Sequence, residues 1–483
     1  MRSAKRSEAG CIRSNHVEGN VSTMHVVEAT EAPRRTGDDD RYAALTHTIL
    51  AELFGPPERR NFAVRLWNGE SETPVSPSQP SFTLVLNDPG SLRRMMLPPS
   101  EMSMVESYLR EDIDIEGDLE SASTIADALA ERLRSVRTVA RVTRLLLALP
   151  SNGSGSVADA PARGRASPHG RLHSKDRDAE STRFHYDLGN DFFALWLDRR
   201  MVYSCAYFPP GVNDIDAAQI AKLDLICRKL RLVPGDRLLD IGCGWGALVM
   251  YAAEHYGAIT HGVTLAKQQA ALAQQRITQA GLQDRCRVDV LDYRDLPASS
   301  QYDKVSSVGM AEHVGRSQIP TYFSTAYRLT REGGLFLNHC IVDNGASPRA
   351  TLRQPIRWTG DRLWRRSEFI DHYVFPDFYL LPLGELITEG ERAGFEIRDC
   401  ENLRDHYART CRHWVRRLES RHEEAVAKVG ELRYRVWRLY MAAGAHQHAS
   451  GNNGIVQMLF AKARRDGTTG VPLTRDDIYR RLA

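Results

Sequence analysis

Seven residues constrain this chain more than any others: Asp240-Ile241-Gly242-Cys243-Gly244-Trp245-Gly246, directly after the apolar pair Leu238-Leu239. Glycines at alternate positions let a backbone turn sharply and approach a ligand closely. A helix starting immediately afterwards aims its free N–H groups at the same place. The flanking sequence repeats the pattern. Arg237 to Gly242, Thr260 to Thr264, Arg287 to Val290, Tyr302 to Val308, Gly334 to Val342, Phe395 to Cys400 and Ile455 to Ala463 read as strands. Ala247 to His255 and Ala266 to Ala280 read as helices. This alternation implies an α/β, doubly wound, Rossmann-like sheet that binds ligands at the carboxyl ends of its strands.

Two cofactors suit such a loop, a dinucleotide or S-adenosylmethionine (SAM). Gly242, Gly244 and Ala247 satisfy a loose G-x-G-x-x-G/A. A dinucleotide site also wants an acid at the end of the second strand, and Gly262-Val263-Thr264-Leu265 stands there instead. Asp240 after strand one and Asp292 after strand three lie where a methyltransferase holds the amino-acid and adenine portions of its donor. The loop therefore favours a methyltransferase, with a ligand-free structural turn as the bland alternative.

Around this region the chain divides into five parts. Residues 1–40 are polar, end in Gly37-Asp38-Asp39-Asp40 and read as a disordered tail. Residues 41–150 read as a small α+β domain, with a helix from Tyr42, strands at Phe62–Leu66 and Phe82–Leu86, and a helical Met102 to Arg144. Residues 151–178, opening with SNGSGS, read as a flexible linker. Residues 179–465 carry the sheet, and 466–483 form a C-terminal tail. Lys+Arg is 64 against Asp+Glu 61, so a globally basic nucleic-acid coat is excluded. No apolar run reaches the ~20 residues of a membrane span. Eight cysteines without a CxxC pair argue against zinc fingers and a disulfide framework, and fit a reducing cytoplasm.

Longer motifs then point to a family. His185-Tyr186-Asp187-Leu188-Gly189-Asn190-Asp191-Phe192-Phe193 runs on to Met201-Val202-Tyr203-Ser204-Cys205-Ala206-Tyr207-Phe208. With Gly309-Met310-Ala311-Glu312-His313-Val314-Gly315, Asn338-His339-Cys340-Ile341 and Tyr373-Val374-Phe375-Pro376, this resembles the cyclopropane-fatty-acyl-phospholipid synthases and mycolic acid cyclopropane synthases over about residues 180–463. Tyr108 to Leu119 resembles the small N-terminal domain of the longer members. The resemblance implies a class I SAM-dependent methyltransferase whose acceptor is the cis alkene of an unsaturated phospholipid acyl chain. It implies a cofactor site at Tyr203, Ser204, Asp240, Gly242, Cys243, Gly244, Gly246, Thr264, Leu265, Gln269, Asp292, Tyr293 and Arg294. It further implies a bicarbonate held by Cys205, Glu312, His339, Ile341 and Tyr373. One position departs: Gly444 stands where the family carries a cysteine in the last helix.

This chemistry suits those residue types. An isolated alkene is a weak nucleophile, so the sulfonium methyl must be held in line with it and water kept out. Ring closure then needs a proton removed from the new methyl group, and a small immobilised base would remove it. Taken singly, Glu312 also reads as a helix-start charge, Cys205 as a small buried hydrophobe, and His339 and Tyr373 as core residues. Rival readings are a methyl-branched lipid or methylated small molecule as product, motivated by Gly444, and a non-catalytic lipid-binding protein. Two arginine-rich stretches suit peripheral contact with an anionic membrane: Arg349, Arg353, Arg357, Arg362, Arg365 and Arg366 with Trp358 and Trp364, and Arg404, Arg409, Arg412, Arg416, Arg417 and Arg421. No nucleic-acid motif accompanies them, and a homodimer is compatible with the family.

Overall fold

The computed structural model describes residues 36–74, 80–133, 135–151, 164–166, 168–344 and 367–479. The first unit opens with α1 (Thr36–Phe54). Asp38 and Asp39 occupy its first turn, where carboxylates meet the positive end of the helix dipole. The aspartate run thus starts a helix rather than closing a tail, and residues 1–35 of that tail lie outside the described residues. Strands β1 (Ala63–Arg65), β2 (Ser71–Glu72), β3 (Phe82–Leu86) and β4 (Ile113–Gly117) form a sheet of order β2-β1-β3-β4. α2 (Ser91–Met96) and α3 (Glu101–Leu109) join β3 to β4, and α4 (Leu119–Ala122), α5 (Thr124–Arg132) and α6 (Val136–Leu147) follow.

β4 corrects the reading of Met102 to Arg144 as helical throughout. Ile113 and Ile115 are buried at alternate positions and pair with Leu86 and Leu84 of β3. A two-residue hydrophobic period inside polar flanks marks a strand, and the helix-forming residues on either side obscured it.

The second unit begins with α7 (Lys175–Tyr186), α8 (Asn190–Trp196) and α9 (Ile215–Lys229). Strands β5 (Arg237–Ile241), β6 (Ile259–Thr264), β7 (Cys286–Val290), β8 (Tyr302–Val308), β9 (Thr330–Asp343), β10 (Glu396–Asn402) and β11 (Asn453–Ala461) form one sheet, ordered β10-β11-β9-β8-β5-β6-β7. Only β11 runs against its neighbours. Side chains of β9 alternate between two cores. Leu335 and Leu337 join the layer of α9 and α10 (Ala247–Tyr256), whereas Phe336 and Cys340 join that of α12 (Ile319–Leu329) and α13 (Leu383–Arg392). Here α11 (Lys267–Gln279) is the helix between β6 and β7. The strand order reverses between β5 and β8, so a crevice opens beyond their carboxyl ends.

α14 (Arg404–Glu419) and α15 (His422–Ala449) join the two units. α15 is broken at Gly430, whose φ of 78° suits glycine. Arg435 of α15 is 5% exposed and donates to the carbonyls of Tyr108 (2.9 Å) and Ile113 (3.2 Å). Its guanidinium also lies 4.0 Å from the Tyr108 ring centroid. Arg435→Met should strand the Ile113 carbonyl at ~1–3 kcal/mol, whereas the Tyr108 carbonyl keeps the Glu111 N–H (3.1 Å). Chemical denaturation should therefore show the variant less stable by about 1–3 kcal/mol.

The segments read as linker and C-terminal tail both make contacts with the second unit. In the described half of the 151–178 span, the Ala166 N–H donates to the His372 carbonyl (2.6 Å) and Arg177 pairs with Asp377. In the 466–483 tail, α16 (Asp476–Tyr479) buries Ile478, and Tyr479 donates to Glu401 (3.0 Å). Hydrogen bonds to the second unit, absent from any local pattern, order both.

The two basic stretches part company. Residues 345–366, with all the arginines and tryptophans of the first, lie outside the described residues. On and just after α14 most of the arginines have partners in the protein while staying partly exposed. Arg412 grips Glu120 with two 2.6 Å hydrogen bonds, Arg417 pairs with Asp216, Arg404 donates to the His448 and Ala449 carbonyls, and Arg409 lies over Phe208. Arg421 pairs with Glu424, and Arg416 is exposed. These pairings tie the helix to both units while Arg416 and Arg421 stay exposed. No helix among the described residues is long and apolar enough to cross a membrane.

Candidate functional site

Beyond the ends of β5, β6 and β7 lies a cleft enclosing, with its open mouth, about 920 Å³ of empty space. Gly242, Gly244, Thr264, Leu265, Gln269, Asp292, Tyr293 and Arg294 line it. Gly244 has φ +54°, and a Cβ built on it meets nothing within 4 Å, so its open side faces free space. Thr264 Oγ1 donates to Gln269 Oε1 (3.1 Å), joining β6 to α11 across the floor.

Three residues of the glycine-rich motif support the turn from behind instead. Asp240 is buried, accepts 2.7 Å from Ser306 Oγ, and is pushed up to about 7 by loss of solvent. Cys243 lies against Gly262, where an added Cβ would come within 2.7 Å of its Sγ. Gly246 lets α10 close on α11, because a Cβ there would meet Ala273 at 3.1 Å.

Sequence reasoning missed one wall. Asp178, Ser181, Thr182 and Tyr186 of α7 line the cleft. Arg294 bridges Asp292 (2.6 Å) and Asp178 (2.9 Å), fastening α7 over the opening. Asp178 fell in a span read as linker. The signal for this wall was the polar helix Lys175 to Tyr186, opened by the N-cap Ser174.

A second cavity of about 500 Å³ shares Tyr186, Gly309, His313 and Phe375 with the first. Glu312, His339 and Ile341 line it with Tyr203, Ser204, Tyr407 and Tyr440. Glu312 Oε1 accepts from the Ile341 N–H (3.2 Å), while its buried Oε2 has no partner. Burial pushes the carboxyl up to about 7. His339 Nδ1 lies 3.1 Å from the Gln457 amide nitrogen, its buried Nε2 has no partner, and burial holds the ring neutral. With the Gln457 amide donating, the proton sits on Nε2 as a spare donor. Tyr407 and Tyr440 were not singled out, because their hydroxyl-bearing rings reach the cavity from helices distant in sequence.

Three positions implied by the resemblance stand apart. Cys205 follows the lining residue Ser204, but its Sγ is directed to the Ala206 carbonyl (3.2 Å). The Tyr373 hydroxyl donates to Glu106 of α3 (3.0 Å) and accepts from Arg165 (3.2 Å). Gly444 lines neither cavity. It lies one turn beyond Tyr440, and a Cβ there would meet Cys411 Sγ at an ordinary 3.7 Å. Gly444→Ala should therefore be accommodated and raise stability by ~1 kcal/mol through helix propensity, measurable by urea denaturation.

With this geometry in view, known proteins give a consistent comparison. The family model of mycolic acid cyclopropane synthetase matches residues 173–458, and a domain of unknown function matches 48–133. A probable fatty acid methyltransferase of Pseudomonas putida is 37% identical over 436 residues, 89% of this chain and 100% of that protein. The cyclopropane-fatty-acyl-phospholipid synthase of Escherichia coli K12 is 35% identical over 296 residues, 61% of this chain and 71% of its own. A mycolic acid cyclopropane synthase solved with SAH and CTAB superposes with a TM-score of 0.55 at 32% identity, covering 58% of this chain and 97% of that one.

Fold and cleft together are those of a class I SAM-dependent methyltransferase with a mixed seven-stranded sheet. The chain belongs to the mycolic acid cyclopropane synthetase family of SAM-dependent lipid modifiers.

Proposed function

We propose that the protein transfers a methylene unit from SAM to the cis double bond of an unsaturated phospholipid acyl chain, leaving a cyclopropane ring. One observation carries the reading: the donor cleft and a second, aromatic-lined cavity share a wall, and partnerless Glu312 and His339 atoms lie in the second. SAM supplies an electrophilic methyl when bound. Gly242 and Gly244 leave room for it, while the α7 wall helps to exclude water. The face formed by Phe375, Phe378, Ile370 and Ile455 receives the apolar chain. Charge that develops on the alkylated chain is met by the Glu312 carboxylate.

Bicarbonate, when bound, supplies a small base. The Nε2–H of His339 and the lining hydroxyls of Tyr203 and Tyr440 are suited to hold it, with Glu312 orienting the group. Tyr373, tied to Glu106 and Arg165, is not placed to join them.

A second reading has a specific support. The relative matched over 89% of this chain is named a probable fatty acid methyltransferase, which favours a methyl-branched product. Incubation with labelled SAM and unsaturated phospholipid vesicles tests both. A ring and an unsaturated branch are isomers, so proton NMR of the released fatty acids must separate them. Label recovered only in branched chains would overturn the cyclopropane reading. Flotation with those vesicles tests peripheral membrane contact.

A further inference from the structure

Lys222 of α9 is 1% exposed, yet no carboxylate among the described residues comes within ion-pairing distance of it. Its ammonium donates 2.8 Å to Ser204 Oγ. The acids that face it are engaged elsewhere. Asp198 accepts the N–H groups of Val202 (2.7 Å) and Arg200 (2.9 Å), and Asp240 accepts Ser306 Oγ. The other titratable groups facing it are Cys205 and His339.

A buried cation is costly unless something compensates it. Because Ser204 Oγ accepts from Lys222, its own hydroxyl proton is free to donate. Ser204 lines the second cavity, beside the partnerless Glu312 Oε2 and His339 Nε2. A polarised hydroxyl backed by a cation selects an anionic acceptor.

We propose that Lys222, acting through Ser204, is the counter-charge for a carboxylate-type anion at this wall. Two sources carry that chemistry, the carboxylate of the donor's methionyl portion and free bicarbonate. Lys222 is a positioning residue, because Ser204 stands between it and the ligand. The proposal deepens the reading of the second cavity as the reaction chamber. Failure of that reading would appear as normal donor binding with no lipid product, whereas failure here appears as unaltered anion selectivity.

Calorimetry on the full-length chain compares SAM with its decarboxylated analogue, and turnover is followed against added bicarbonate in depleted buffer. If the donor's carboxylate is the anion, Lys222→Met should weaken SAM about ten- to a hundredfold, the range for a lost charge-assisted hydrogen bond, and leave the analogue unchanged. If bicarbonate is the anion, the half-saturating bicarbonate concentration should rise by that factor instead. Lys222→Arg should restore part of either loss, and Ser204→Ala should reproduce it with the lysine intact. Equal losses for SAM and analogue, with no change in bicarbonate dependence, would make Lys222 merely structural and overturn the proposal. So would wild-type protein that binds SAM no tighter than the analogue and turns over independently of bicarbonate, a measurement that needs no variant to fold.

Discussion

Gly244→Val should strongly weaken SAM binding while the protein stays folded. Gly244 lines the donor cleft at φ +54°, and a side chain there would project into space that holds no protein atom. The left-handed backbone costs an L-residue ~1–2 kcal/mol, small against a typical domain stability of ~5–15 kcal/mol. A branched side chain in the ligand's place should lower affinity by about ten- to a hundredfold or more, since overpacking a tight contact costs ~1–3 kcal/mol or more. Calorimetry beside a thermal melt separates the effects. Unchanged affinity would remove this turn from the donor site.

Glu312→Gln should retain SAM binding and lose about 10²–10³ in turnover, the scale for removing one group that meets developing charge. The same variant should change stability with a particular sign. Burial raises the Glu312 carboxyl from the ordinary 4.5 to about 7. A raised carboxyl holds its proton more tightly when folded, so its contribution is full below 4.5 and is lost as pH rises through about 7. Glutamine does not titrate. The stability of wild type relative to Glu312→Gln should therefore fall between pH 4.5 and 7 in ligand-free protein. Asp240, also raised to about 7, is present in both and cancels. A flat difference would mean that Glu312 ionises as it does in water.

The sheet was legible because its strands are short apolar runs separated by amphipathic helices, and Tyr302–Val308 coincides with β8 end to end. β4 was hidden because two isoleucines carry its whole pattern between good helix formers. Of the glycine-rich motif, the sequence marks which residues make the turn but not which side each faces. Gly242 and Gly244 meet the cleft, while Asp240, Cys243 and Gly246 brace it. Glu312 and His339 come together because β8 and β9 are adjacent parallel strands, a pairing the alternating pattern implies. The partners of Tyr373 were beyond reach, since Glu106 lies 267 residues away in another unit. On α14 the partner of Arg412 was equally beyond reach, since Glu120 lies 292 residues away in another unit.

The wall shared by the two cavities carries a stereochemical consequence. Tyr186, Gly309, His313 and Phe375 border both spaces. In the proposed reaction, donor sulfur and acceptor carbon would face each other across one methyl group beside these residues. A single displacement inverts the carbon it moves. In a branched product made from SAM whose methyl bears protium, deuterium and tritium, the handedness of that methyl should be opposite to the handedness supplied. A relay through a side chain would displace twice and return the original hand.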